Sequence, residues 1–170
     1  VDFSYDFKTD IVLAGAGGVR LFRQEQASDF VDVTASTALP KSITEAAYLG
    51  AWAADIEADG DLDIVLGVAT GTPAVLRNNG NGTFTVIHPF AGVSGLRQFL
   101  WVDLDGDGAP EAVLIDGSDH LHVFANYRQG DFRERAVPSA LGIIKSIAVS
   151  DANREGILQL LTLQLDGTLM

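Results

Sequence analysis

A nine-residue pattern of alternating acids around a glycine occurs twice in register, and that repetition limits the fold more than any other feature of the chain. Asp55, Glu57, Asp59, Gly60 and Asp63 make the first copy; Asp103, Asp105, Asp107, Gly108 and Glu111 make the second, 48 residues later. Each copy runs straight into an apolar stretch, Ile64-Val65-Leu66 or Ala112-Val113-Leu114. Alternate acids on a tight glycine turn can aim several oxygens at one centre, and a hard cation such as calcium takes about six to eight oxygen ligands.

An EF-hand would need a glutamate at the twelfth position and a helix on either side. The twelfth residues are Leu66 and Leu114, and the residues after each loop read as a strand. The last oxygen therefore comes at the ninth position, from Asp63 or Glu111, and each loop leads directly into a sheet.

The period extends beyond these two copies. Asp2, Asp55, Asp103 and Asp151 are spaced by 53, 48 and 48 residues; Pro40, Pro89 and Pro138 are 49 apart; Phe84 and Phe132 are 48 apart. The longer first interval is local, since ten residues separate Phe30 from Pro40 and five separate Phe84 from Pro89. Each unit reads as a strand after the loop (11–14, 64–68, 112–115, 160–163), a second strand (19–23, 74–77, 121–125), a third near the phenylalanine, and a fourth entering the next loop (47–53, 98–102, 147–149). Four short strands in about 48 residues match a propeller blade better than a helical repeat. The expectation is an all-β propeller segment of about three and a half four-stranded blades, with units near 2–45, 46–96, 97–143 and 144–170. Propellers close with about four to eight blades, so the chain is expected to be part of a longer one. Ser42-Ile43-Thr44-Glu45 matches a capping box that would start a helical turn over 45–49, whereas the equivalent stretches 91–97 and 139–145 read as plain connections between blades.

Composition narrows the partners. With 170 residues and 47% hydrophobic content the chain can fill a core, and a formal charge of −12 argues against nucleic acid or an anionic membrane surface. Much of that charge lies in the loops, where bound cations would offset it. The absence of cysteine excludes disulfides, thiolate metal sites and a cysteine nucleophile. No run of eighteen apolar residues is present, so no membrane-inserting segment is expected.

These residues resemble the FG-GAP or VCBS-type repeat, the calcium-loop blade of integrin α-subunit heads and of many secreted bacterial proteins, and most of all the repeat array of the cartilage-acidic-protein type. The signature D-x-D-x-D-G-x-x-D is met at Asp55, Glu57, Asp59, Gly60 and Asp63, and at Asp103, Asp105, Asp107, Gly108 and Glu111, with Glu57 and Glu111 as conservative departures. The resemblance implies a calcium-stabilised, non-catalytic propeller outside the cell, or periplasmic or on the cell surface in a bacterium, that serves adhesion, ligand or carbohydrate binding. It implies metal ligation by these acids and by the backbone carbonyls of the seventh residues, Asp61 and Ala109. The first unit is a weaker candidate: Asp2, Ser4, Asp6 and Asp10 remain, with Lys8 in seventh place, but Phe7 replaces the glycine. The fourth, Asp151, Asn153, Glu155, Gly156 and Gln159, has lost its last carboxylate and is expected to be empty.

Other motifs read more plainly. His120 and His122 alternate on one face of a strand, as a zinc pair would, but no third ligand adjoins them and they read as surface. Gly15-Ala16-Gly17-Gly18 lacks the third spaced glycine and the helix of a dinucleotide loop and reads as a hairpin turn. Asn81-Gly82-Thr83 is a glycosylation sequon that turn chemistry explains equally well. Trp52 and Trp101 precede their loops by three and two residues, so they should face opposite sides of their strands, one in the core and the other available as a ligand platform.

The function read from this is a calcium-pinned binding or scaffold module whose partner is a protein or glycan, and which either joins the rest of a propeller or self-associates. The rival readings are a propeller enzyme acting on polysaccharide, a lyase or hydrolase, and a purely structural array. No nucleophile and base stand at motif spacing, and the loops take up most of the suggestive acids.

Overall fold

The computed structural model describes residues 1–170, in thirteen strands that form four antiparallel sheets. The first sheet has three strands, β1 (Ile11–Gly15), β2 (Gly18–Gln26) and β3 (Asp29–Asp32). The second has β4 (Gly50–Ala54), β5 (Asp63–Gly67), β6 (Ala74–Asn78) and β7 (Phe84–Ile87). The third repeats it with β8 (Gln98–Val102), β9 (Glu111–Ile115), β10 (Leu121–Asn126) and β11 (Phe132–Arg135). The fourth holds β12 (Ile144–Ser150) and β13 (Gln159–Gln164), and Leu169 adds a single bridge to Leu163. Neighbours in each sheet are neighbours in sequence, which is the meander of a propeller blade.

The strands after the loops lie deepest. Every residue of β5 and of β9 is buried, as expected of short continuous apolar runs. Strand alternation divides them between two interfaces. Ile64 and Leu66 face the first sheet, with Val19, Leu21, Tyr48 and Leu76, while Val65 faces the third sheet, with Phe99, Leu114 and Phe124. Val113 and Ile115 in turn face the fourth sheet, with Leu121 and Ile144. Each large aliphatic side chain so buried contributes about 1.5–3 kcal/mol, so the sheets are held face to face mainly by these three cores.

Trp52 and Trp101 lie on opposite faces of equivalent strands, since Trp52 pairs with Val65 and Trp101 with Ala112. Those two faces meet across one interface. Both indoles pack, partly buried, against the same core, and Trp101 stacks on Phe99 at 6.3 Å between centroids. Neither is therefore the free ligand platform expected of one of them. The reason is that adjacent blades present opposite faces to each other, so opposite parity on neighbouring blades converges.

A one-turn helix, α1 (Lys41–Thr44), precedes β4. It starts after Pro40 with no side-chain cap, four residues earlier than the turn a Ser42 capping box would start. Proline is the natural first break in this stretch, and its fixed φ enters a helix readily. The glycine run closes the β1–β2 hairpin, Gly15 opposite Gly18. Gly18 has φ +105°, and a Cβ there would lie 2.0 Å from the Thr44 carbonyl oxygen, so this glycine lets the helix pack on the hairpin. On the outer face of the first sheet Ile11 and Leu13 are exposed, with no sheet against them.

Candidate metal centre

Four loops lead into the sheets at the same place in each unit, the first entering β1 and the others joining β4 to β5, β8 to β9 and β12 to β13, and their backbones are folded by their own acids. In the first position Asp2, Asp55, Asp103 and Asp151 each accept backbone N–H bonds across the loop; Asp55 takes those of Asp59 and Gly60 at 3.1 and 3.0 Å. In the fifth position Asp6, Asp59 and Asp107 accept the N–H of the seventh residue at 3.1, 3.0 and 2.8 Å. The ninth side chain closes the ring on the second residue: Asp10 accepts from Phe3, Asp63 from Ile56, Glu111 from Leu104 and Gln159 from Ala152. The glutamine in the fourth loop keeps this brace with an amide oxygen while lacking the charge.

The ninth position also ties the loop to the sheet. The second oxygen of Asp63 accepts the Asn78 N–H of β6 at 2.7 Å, and that of Asp10 accepts the Gln24 N–H of β2 at 2.9 Å. Asp10, Asp63 and Glu111 are all buried. Burial pushes the Asp63 carboxyl up to about 6, against its two backbone hydrogen bonds and with the charges of Glu57 and Asp59 adding to the rise. Glu111 is raised for the same first reason, burial. Asp63 is held dry beside further acids without a basic partner, whereas Glu111 has the Arg135 guanidinium 3.4 Å away.

The loop backbone needs left-handed residues at two places. The sixth residues are Phe7 (φ 64°), Gly60 (97°), Gly108 (79°) and Gly156 (82°); the fourth are Tyr5 (57°), Ala58 (59°), Gly106 (77°) and Arg154 (62°). Phe7 thus takes up the glycine conformation despite its side chain, so the first loop keeps the fold of the others at a cost in strain. The fourth-position requirement was hidden in the sequence because four different residue types meet it.

The structure brings Asp103, Asp105 and Glu111 together, with one oxygen from each within 4.8 Å of the others. A basic side chain already stands on them: the Arg135 guanidinium of β11 lies 2.6 Å from Asp105 and 3.4 Å from Glu111. Hydrogen bonding to Arg135 holds the Asp105 carboxyl below its usual range. The donor set and this internal cation both fit a bound positive ion at the third loop. In the first loop Lys8 extends its ammonium to Asp6 at 2.9 Å, a cation of the chain itself on a ligand-type acid. In the second loop no three of Asp55, Glu57, Asp59 and Asp63 converge in this way, and Glu57 pairs with Arg77 at 3.4 Å. Asp61 and Ala109 stand at the seventh places, their N–H groups donating to Asp59 and Asp107.

Sequence reading missed an inter-blade latch. The Asn78 amide in β6 donates to the carbonyl of Phe3 in the first loop at 2.8 Å and to that of Leu62 at 3.3 Å, tying one blade to the loop of the one before. Asn126 occupies the same place in β10, 48 residues on, and its buried amide nitrogen has no partner; there the Gln129 N–H reaches the Glu57 carbonyl at 3.3 Å. The repeat spacing of the two asparagines was the available signal.

With this geometry in view, the family profile described as FG-GAP-like repeat matches the chain three times, over residues 2–66, 55–114 and 103–162. No curated protein matches the chain. Among solved structures it is similar to a lectin of Agrocybe aegerita described as recognising non-reducing terminal N-acetylglucosamine, with 20% identity and TM-score 0.57 over 91% of this chain and 43% of the lectin chain. A Tc holotoxin pore of Photorhabdus luminescens is similar at 22% identity and TM-score 0.54, over 94% of this chain and 8% of that one. The chain thus spans less than half the length of either, and at these identities the likeness is one of fold. Three matches in register with the four loops cover nearly the whole sequence, and the chain belongs to the FG-GAP-like repeat family.

Proposed function

We propose that this chain is a calcium-binding propeller module that is not an enzyme, works outside the cell, and binds a protein or glycan partner. The observation that carries the reading is the third loop, where three carboxylates converge and the Arg135 guanidinium stands in for a cation. Calcium suits these donors because they are all oxygens, on short loops whose ligands are held by backbone hydrogen bonds. The loops at Asp55 and Asp103 are the main sites, the loop at Asp2 a weaker one, and the loop at Asp151 stays empty. Calorimetric titration with calcium tests this. Replacing Arg135 by glutamine should tighten binding at the third loop several-fold, because the metal no longer displaces a guanidinium; unchanged or weaker calcium binding in Arg135→Gln contradicts the placement.

A binding role is supported by a polar cleft between the first two blades, lined by Ser4, Tyr5, Arg23, Asp61 and Asn81. An aromatic ring beside hydrogen-bonding side chains suits a sugar, and the similar lectin makes N-acetylglucosamine the first ligand to try. No transmembrane-length apolar helix is present. The exposed face of the first sheet is expected to be covered by further blades of a longer chain or by a second copy.

A further inference from the structure

Away from the acidic loops, the opposite end of the third sheet carries a second group of ligand-type side chains. The turn from β9 to β10 is folded by Asp116, whose Oδ1 accepts the N–H of Ser118 and of His120, both at 2.8 Å. That turn is tied down on two sides. The Gly117 N–H donates to the Ser94 carbonyl at 3.0 Å, the Ile144 N–H donates to the Asp119 carbonyl at 2.8 Å, and Arg97 pairs with Asp119. With Oδ1 occupied, Oδ2 of Asp116 is left facing Nε2 of His122 at 3.3 Å. On the other side of the ring Nδ1 meets Oε1 of Glu134 in β11 at 2.6 Å, and the ring is stacked at 6.4 Å on Phe124. His120 stands two residues before His122, its Nδ1 3.9 Å from Oδ1 of Asp116, the oxygen that braces the turn, and its side chain largely exposed.

When Nδ1 donates its proton to Glu134, Nε2 presents a lone pair to a carboxylate oxygen. Two acceptors at that separation need a positive charge between them, either a proton on Nε2, which makes the contact a hydrogen bond, or a metal ion that takes the proton's place. Two ligand atoms each about 2.0–2.1 Å from a tetrahedral zinc stand about 3.3 Å apart, which is the separation seen between Nε2 and Oδ2. A carboxylate on the far nitrogen is also the arrangement that fixes the tautomer of a metal-bound histidine. We propose that Asp116, His120 and His122 form a site for a divalent transition metal of the zinc class, with Glu134 as the positioning residue behind His122. His120 swings in from solvent as the third ligand, and water fills the remaining place. Two carboxylates and a divalent ion sum to zero charge. Mixed nitrogen and oxygen donors favour zinc, cobalt or nickel over calcium.

The test uses the chain saturated with calcium, so that the acidic loops are filled, titrated with cobalt(II) and followed by its visible absorption. One equivalent should bind and produce the intense bands of a four- or five-coordinate ion. His122→Ala should abolish that signal, His120→Ala, at an exposed position, should weaken binding without affecting folding, and Glu134→Gln should weaken it by about 10–100-fold. The rise in melting temperature on adding calcium should be the same in all three variants, whatever their melting temperature in chelator. Absence of a saturable cobalt signal overturns the proposal, as does a signal that survives both histidine substitutions or disappears instead in Asp103→Ala. The calcium reading stands or falls separately, since its own titration involves none of these residues.

Discussion

Phe7 shows at a single residue what the loop demands. A non-glycine residue in the left-handed region costs about 1–2 kcal/mol, and glycine adds about 0.5–1 kcal/mol of unfolded-chain entropy. Phe7 is 94% exposed, and its ring meets only the exposed Tyr5 ring, at 6.1 Å between centroids. Phe7→Gly should therefore raise the unfolding free energy by about 0.5–1 kcal/mol, measured by urea denaturation in chelator; a loss of stability would show that the ring is needed where it is. Asp63 sets a pH dependence of definite sign. Burial raises its folded pKa to about 6 from 3.8, so the stability it contributes is full below about pH 4 and is lost as pH rises through about 6. In chelator, wild type should lose stability relative to Asp63→Asn between pH 4 and pH 7. A difference that does not change with pH contradicts this.

The elements were largely legible because each announces itself twice, once by its own residues and once by its counterpart 48 residues away. β5, β8, β9 and β10 fall within a residue or so of the stretches read from Ile64, Gln98, Ala112 and Leu121. β4 begins at Gly50 and not at Ala47, because the Tyr48 N–H turns instead to the Gly15 carbonyl of the first sheet. Such long-range hydrogen bonds leave no local trace in sequence. The convergence of Trp52 and Trp101 was hidden for a related reason, since parity along one strand says nothing of which blade faces which. The same holds at the site: the acids of the loops could be named from their spacing, but Arg135, 24 residues beyond Glu111, could not. At the open face of the first sheet, Ile11 and Leu13 on β1 make an apolar surface with nothing packed on it. This chain alone should self-associate in sedimentation, and Leu13→Glu should shift it towards monomer; a monodisperse 18.0 kDa species for the unsubstituted chain contradicts that.

For the whole molecule, the three interface cores join the sheets, while the loops carry a concentration of negative charge that those cores do not neutralise. Under the proposal, calcium is a structural part of the two middle blades, at the Asp55 and Asp103 loops. The proposed ligands lie within nine residues of one another, each of these two loops connects two strands of one sheet, and without the ion buried carboxylates face other acids. At free calcium a hundredfold above Kd, one site contributes about 2.7 kcal/mol, and two sites would raise the melting temperature of a chain of this size by about 10–20 °C. The most direct measurement is therefore the thermal unfolding of wild type, Asp55→Ala and Asp103→Ala, each with millimolar calcium and with excess chelator. Wild type should melt higher in calcium, and each substitution should shrink that calcium-dependent rise, beyond the smaller loss in chelator that follows from removing two backbone hydrogen bonds. Equal melting temperatures for wild type with calcium and with chelator would contradict the account.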